Sequence, residues 1–575
     1  KPYIGWLVLL IAAISVQVWA TLQLPNYMSH IVNDGIVGGD QNLIWQKGVQ
    51  MVIITIVGGI AMVLASYLAS RISTGVARDL RKNTFDKIES FSLNEINQFS
   101  TASLITRTTN DIQQIQQVLF MMLRMVLMAP IMAGGAIIEA LNSAPNMTWI
   151  IALSVVILFV IIIILLIVAL PKFTMLQKLI DRLNLVTREN LTGLRVIRAF
   201  NNEKYEEDKF GTANQDLMKV NLFVNRVMVI MMPLMTFIFN LTTLLIIWVG
   251  AHLIADGNLA IGNMMAFMQY AIQVIMSFLM ISMVFILLPR AQVSAKRIVE
   301  VLETKLSIKP AAKPKTPKNN MHGVVEFKDV TFAYPDADTP VLKGISFKSL
   351  PGQVTAFIGS TGSGKSTLIN LIPRFYDVTK GAVLVNGVDV RDLSAKVLMG
   401  KIGYIPQKGV LFSGTVKDNI NYGSNKADSK QVHAAAKVAQ AYNFIEKLDG
   451  KFDAHIAQGG QNVSGGQKQR LSIARAIARD PEIYIFDDSF SALDFKTDRA
   501  LREALKPVTK NAATLIVAQR ISTIEDADQI IVLNEGKMVG LGTHQELMKT
   551  CKVYQEIARS QLSEAEIKKS LKGKK

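Results

Sequence analysis

Gly359-Ser360-Thr361-Gly362-Ser363-Gly364-Lys365-Ser366 stands between an apolar run of strand character, Val354 to Ile358, and a run of helical character, Thr367 to Ile372. The glycines let the backbone curl so that its N–H groups face phosphate oxygens. Lys365 brings a positive charge to the β- and γ-phosphates, and the Ser366 hydroxyl is placed to ligate Mg²⁺. A Gly/Ser-rich turn can match such a pattern by chance, but the Lys, the Ser and both flanks argue against that here. The stretch predicts a nucleoside-triphosphate site, and the rest of the chain must say what the nucleotide drives.

At 575 residues the chain is too long for one core and should divide into two or more domains. Half of it is hydrophobic and only 19% is charged, and the mean hydropathy is positive. That balance places part of the chain in a membrane. A net charge of +17 would suggest nucleic acid in a soluble protein. Beside a bilayer it fits a cytoplasmic surface rich in Lys and Arg facing an anionic leaflet. No recognisable reader module points to nucleic acid. The lone Cys551 excludes an internal disulfide and a Cys-built metal site. The sequence opens at Lys1-Pro2 without Met, so residues are expected to precede it. Its first apolar run is long enough to span a bilayer and lacks a cleavage pattern, so it does not read as a signal peptide.

Six apolar runs are candidates for crossing a bilayer: Ile4–Leu24, Val49–Ser70, Val126–Leu141, Trp149–Leu170, Met228–Ile254 and Met264–Leu288. The loops Pro25–Gln46, Leu141–Thr148 and Gly250–Gly262 contain no Lys or Arg, whereas Arg71–Arg107 and Lys172–Arg226 are rich in both. By the positive-inside rule the N-terminus, these two long segments and the whole second half are expected in the cytoplasm. The two long segments have good helix formers and apolar positions at helical spacing, as in Val186, Leu191, Leu194 and Ile197. They read either as solvated linkers or as long helices leaving the membrane, with Asn94–Leu104 and Thr192–Phe200 as candidate contacts for a soluble domain.

Within the spans Gln17, Gln23, Asn26, Asn240, Gln269 and Gln273 are polar, and Met231, Met232, Met235, Met268, Met276 and Met280 form a Met-rich set. A Met-rich wall suits a cavity that accepts many apolar shapes, although Met stripes more often simply pack. Glu139 is the one acid well inside an apolar run. Such a carboxylate is a candidate cation site, while its place near a span end favours an interfacial residue.

Residues 1–304 thus read as a membrane domain, and 305–322, rich in Pro and Lys, as a linker. Residues 323–560 read as a nucleotide-binding domain and 561–575 as a basic tail. In the soluble part, Val324–Phe327, Val354–Ile358, Ile402–Ile405, Ile483–Phe486, Thr514–Val517 and Gln529–Leu533 alternate with helical runs. This predicts an α/β domain around a mainly parallel sheet, with a helical insertion between Lys417 and Gly459. The run Ile483–Phe486 ends in Asp487, placed to hold the Mg²⁺ of a P-loop site, and Asp488 follows where a carboxylate orients the attacking water. Ser464-Gly465-Gly466-Gln467 opens a helix: Ser464 is a cap, and the paired glycines leave bare N–H groups for a phosphate. One nucleotide does not need two such cradles, so the pair points to two chains sandwiching each nucleotide.

At these residues the chain resembles an ATP-binding cassette (ABC) exporter half-transporter over nearly its whole length. The match comprises Gly359–Ser366, the glutamine of Tyr404-Ile405-Pro406-Gln407, the signature Ser464–Gln467, Asp487, and Ser491-Ala492-Leu493-Asp494. Tyr334 falls where the family stacks an aromatic ring on adenine. Ser103–Arg107 and Asn190–Arg195 resemble the flanks of the family's two coupling helices. The resemblance implies an all-α membrane domain of six long helices followed by an α/β cassette, two chains per transporter. It implies ATP and Mg²⁺ as ligands, with Ser366, Gln407 and Asp487 at the metal and Thr367 beside the phosphates. Two residues depart from the family. Its catalytic glutamate is here Asp488 and its switch-loop histidine is Gln519. Aspartate is one methylene shorter, and a misplacement of about 1 Å can cost roughly 10²-fold in rate. Glutamine cannot take a proton as histidine does.

Ser464–Gln467 and Asp494, which in the family act on the partner's nucleotide, are intact. The pattern resembles the degenerate-site subunit of a heterodimeric bacterial multidrug exporter in the plasma membrane, moving hydrophobic or amphiphilic compounds by alternating access. Two alternatives remain open: a homodimeric lipid or drug flippase, and a non-transporting ATP-gated regulator.

Overall fold

The computed structural model describes residues 2–317, 321–335, 337–424 and 428–571. The chain separates into two compact units. One is Lys1–Glu89 with Phe99–Thr304; the other is Ser90–Gln98 with Lys305–Lys575.

The first unit is helical. Its long elements are Ile4–His30 with a π-helical extension Ile31–Val37, then Gln41–Glu89, a run from Thr101 to Ser143, Thr148–Ala199, Glu203–Ala255 and Ile261–Glu303. Five of these are long and apolar enough to cross a membrane by length and composition among the described residues. The remaining expected span, Trp149–Leu170, lies in the helix Thr148–Ala199 and includes side chains outside those described, as do Met231 and Met232. Four of the helices run to 49, 52, 53 and 43 residues, well beyond the ~20 that a bilayer needs. The long-helix reading of the charged segments therefore holds.

This unit's core is built where small residues let helices approach closely: Ala65, Ala69, Ala136 and Ala140 are buried among Leu10, Ile14, Leu68, Phe267 and Tyr270. Ile53, Ile56, Ile60 and Val63 on the Gln41–Glu89 helix are exposed, as a lipid-facing stripe requires. Met235 is buried in packing and Met268 lies against the core, while Met276 is exposed. The buried Gln17 donates to Met128 Sδ at 3.9 Å.

The second unit contains two main sheets. The strands are β1 (Val325–Phe332), β2 (Leu342–Ser349), β3 (Val354–Gly359), β4 (Lys380–Val385), β5 (Val388–Asp389), β6 (Ile402–Ile405), β7 (Gly414–Thr415), β8 (His455–Ile456), β9 (Ile483–Asp487), β10 (Ala513–Val517), β11 (Gln529–Asn534) and β12 (Lys537–Gly542). The larger sheet has the order β12-β11-β3-β10-β9-β6, parallel except for its β12 edge. Five of the expected strands form its parallel part. The sixth, Val324–Phe327, does not. It lies in β1, in an antiparallel sheet of order β2-β1-β4-β5. The buried faces of β9 and β10 are continuous, as parallel strands covered on both sides require, whereas β2 alternates buried and exposed positions. Between β6 and β9, helices Val416–Asn421, Ser429–Val438 and Tyr442–Ile445 make up the expected helical insertion.

Candidate nucleotide-binding site

The carboxyl ends of β3, β6, β9 and β10 lie side by side in the parallel sheet, and each hands its chain to a site residue. This is where open α/β sheets collect ligands. From β3 the chain turns through Gly359–Gly364. Gly362 and Gly364 have φ of +81° and +95°, and a Cβ on Gly364 would come within 2.8 Å of Leu342. Only glycine fits that turn. The helix Lys365–Asn370 follows. Lys365 Nζ donates to the carbonyls of Gly359 (2.9 Å) and Ser360 (2.8 Å) and to Ser363 Oγ (3.4 Å). Burial pulls its ammonium below the ordinary lysine range, against the nearby Asp488 and Asp487 carboxylates.

Ser366 Oγ donates to Asp487 Oδ1 at 2.8 Å. A hydroxyl and a carboxylate paired at the phosphate end of the loop form a hard-oxygen donor set suited to Mg²⁺. Burial pushes the Asp487 carboxyl up, partly opposed by the Ser366 hydroxyl. Tyr334 OH lies 3.0 Å from Thr367 Oγ1, which ties the ring to the helix behind the loop. Tyr376 packs edge-on against it with centroids 5.2 Å apart. Thr361, in the loop, is exposed.

Asp488 is the centre of the arrangement. It is buried at 7% exposure and leaves β9 with φ of +49°, a left-handed turn that aspartate tolerates better than most residues. Its N–H donates to Val517 O at 3.0 Å, which fixes it against the end of β10. One carboxylate oxygen, Oδ2, accepts from two amides: Gln407 Nε2 at 3.1 Å and Gln519 Nε2 at 2.8 Å. Ser491 Oγ donates to the Asp488 carbonyl at 2.8 Å. Burial raises the Asp488 carboxyl, opposed by Gln407, Ser491, Lys365 and Gln519. The structure thus joins the two residues that depart from the family pattern into one hydrogen bond.

Ser464–Gln467 is not part of this cluster. Ser464 caps the helix Gly465–Ala478 in a reciprocal box: Gln467 N–H donates to Ser464 Oγ (3.3 Å) and Ser464 N–H to Gln467 Oε1 (2.9 Å). Ser464 and Gly465 are exposed. Asp494 is exposed as well and caps the helix Phe495–Thr509, accepting from Thr497 N–H at 2.9 Å.

Sequence reading missed Tyr376 and Gln561, whose amide holds the Gln519 loop, and it placed Ser491 in Ser491–Asp494 without its bond to the Asp488 carbonyl. Neither Tyr376 nor Gln561 stands inside a motif; Tyr376 is close enough in sequence to the loop helix for proximity to have marked it.

Comparison with known proteins identifies the family. Residues 6–278 match the ABC transporter transmembrane region and residues 342–491 the ABC transporter domain. An uncharacterised ABC transporter ATP-binding protein of Mycobacterium tuberculosis is 43% identical, over 98% of this chain and 97% of its own. The ABC transporter ATP-binding protein YfiB of Bacillus subtilis is 37% identical, over 96% and 95%. The ATP-dependent lipid A-core flippase of Desulfotalea psychrophila is 32% identical over 86% of each chain. The structure of a bacterial Atm1-family ABC exporter with ATP bound has the same fold, with a TM-score of 0.81 at 24% identity over 97% of this chain and 99% of that one.

Proposed function

The chain belongs to the ABC transporter family and is an ATP-hydrolysing, multi-pass membrane transporter; from that premise we propose that it is the ATP-retaining half of a two-subunit bacterial plasma-membrane exporter. In this reading Tyr334 stacks on adenine, and the N–H groups of Gly359–Ser366 and the Lys365 ammonium hold the phosphates. Ser366, Asp487 and Gln407 would hold Mg²⁺, which supplies charge neutralisation to the phosphates when bound. Asp488 and Gln519 occupy the positions that orient and activate water. Ser464–Gln467 and Asp494 complete the site on a second half-transporter. Two bound nucleotides bring the cassettes together, and the helices open the cavity outward.

The observation that carries this reading is the Asp488 carboxylate. Its Oδ2 already accepts from Gln519 and Gln407, and its side chain is one methylene short of a glutamate. A carboxylate set back and engaged in this way orients water poorly, so the site favours holding ATP over cleaving it. Hydrophobic or amphiphilic small molecules suit the apolar helices as cargo. A homodimeric lipid or drug flippase is the second reading, favoured by the resemblance to the lipid A-core flippase over 86% of the chain.

One experiment separates the two. The complex is pulled from its own membranes through a tag on this chain, its native mass measured and its subunits identified. A single different partner with Glu after its strand-end Asp and His in its switch loop is the expected result. Two copies of this chain alone would overturn the asymmetric assignment and make Asp488 the working base.

A further inference from the structure

The loop that presents Gln519 is held by a residue far outside the nucleotide motifs. After β10 the chain passes through Ala518, Gln519 and Arg520 into the short helix Ile521–Ile524. The side-chain amide of Gln561 spans this loop: Nε2 donates to the Gln519 carbonyl at 2.7 Å, and Oε1 accepts from the Ile521 N–H at 2.9 Å. One amide thus pairs with both a carbonyl and an N–H, as a neighbouring strand would. Gln561 is the last residue of the helix Lys552–Gln561, whose Tyr554 and Ala558 are buried. Tyr554 OH lies 2.7 Å from His544 Nδ1, so the helix is itself fixed. Gln519 is exposed, and its long side chain has rotamer freedom to lose when it settles on Asp488.

We infer that Gln561 is a positioning residue for the nucleotide site: by clamping the backbone of Gln519 and Ile521 it keeps the Gln519 amide on Asp488 Oδ2. This rests on the reading above in which Gln519 acts on the ATP held by this chain. The clamp lies at the end of the helix Lys552–Gln561, so that helix sets how long the site retains its nucleotide.

The test uses the intact transporter purified from its membranes with whatever subunit accompanies the chain. The dissociation rate of radiolabelled ATP, with Mg²⁺, is measured for wild type, Q519A, Q561A, Q561E and the double variant. Q561A should shorten retention by roughly fivefold, the net worth of the Gln519–Asp488 hydrogen bond it releases. It should add nothing in the Q519A background, since both act through one contact. At neutral pH Q561E should behave as Q561A, because a carboxylate accepts from Ile521 but cannot donate to the Gln519 carbonyl. As pH falls and the acid protonates, its retention should return toward wild type while that of Q561A does not. Gln561 is exposed, so these variants should fold. A change in Q519A with none in Q561A would overturn this inference alone. An equal effect of Q561A with or without Gln519 would also overturn it. No change in Q519A would remove both the inference and the role given to Gln519.

Discussion

The end of β9 and the start of the helix Gly465–Ala478 are two edges of one domain, and their chemistry is opposite. At β9 the polar groups are turned on one another: Asp488 is buried, and the amides of the exposed Gln407 and Gln519 converge on its Oδ2. At the helix start the capping box uses only local atoms, and Ser464 and Gly465 face outward. A site whose groups already satisfy each other is suited to persist, whereas an exposed, self-capped helix start has N–H groups to offer something else. In the two-subunit reading this divides a slow half from a working half.

The largest test of that contrast places a charge on the exposed edge. A Cβ at Gly465 meets nothing within 4 Å, so Gly465→Asp should fold. In that reading its carboxylate would stand where the second subunit's phosphate docks, and steady-state ATP turnover should fall by about 10²-fold or more. Asp488→Asn at the buried edge should then change turnover far less. Equal losses would erase the distinction.

Next in size is Asp488→Glu with Gln519→His, which should raise single-turnover hydrolysis of ATP bound to this chain by up to roughly 10²-fold. Absence of any gain would place the limit elsewhere, as in the other subunit's signature. Tyr334→Ala should raise KM for ATP about tenfold by removing the ring proposed to stack on the base, while Tyr334→Phe, which loses only the 3.0 Å contact with Thr367, should change it much less. Equal effects from the two would assign Tyr334 to packing.

The smallest effect concerns stability. Glu95 is buried at 2% exposure. Its Oε2 accepts from Ser92 N–H at 2.7 Å and its Oε1 from Ser307 N–H at 3.0 Å. Burial alone would raise its carboxyl, but the bonds from Ser307 and Ser92 outweigh this and hold it at about 2 against an ordinary 4.5. A depressed carboxyl stabilises the fold above its unfolded value and loses that contribution as pH falls through the folded one. Glu95→Gln should therefore lower stability at neutral pH by up to about 3 kcal/mol, and Tm with it. The gap to wild type should close between pH 4.5 and about 2, as followed by thermal melts. A gap independent of pH would assign the loss to packing.

Much of this was legible because the signals are local. The phosphate loop needs its glycines, β9 and β10 are continuous apolar runs, and bilayer spans are long. The antiparallel sheet was not legible. β2 alternates Leu342, Ile345 and Phe347 with exposed polar positions, and its pairing with β1 shifts register near Val330, so no apolar run marks it. At the site, sequence gave Asp488 and Gln519 as separate departures. Their shared hydrogen bond depends on β9 and β10 being neighbours, which residue spacing does not encode. Gln561 and Glu95 are single polar residues at helix ends, and what they hold is backbone distant in sequence.

The contact between Glu95 and Ser307 also bears on how the molecule is assembled. The chain leaves the soluble unit after Gln98 and rejoins it at Lys305, so Phe99–Thr304 is an excursion whose two ends meet at this clasp. Closing a disordered loop of about two hundred residues costs roughly 5 kcal/mol of chain entropy. That exceeds what the clasp returns, so it cannot nucleate the structure. It closes only once the intervening helices have found their places, and a closed clasp marks a chain whose membrane part is already built.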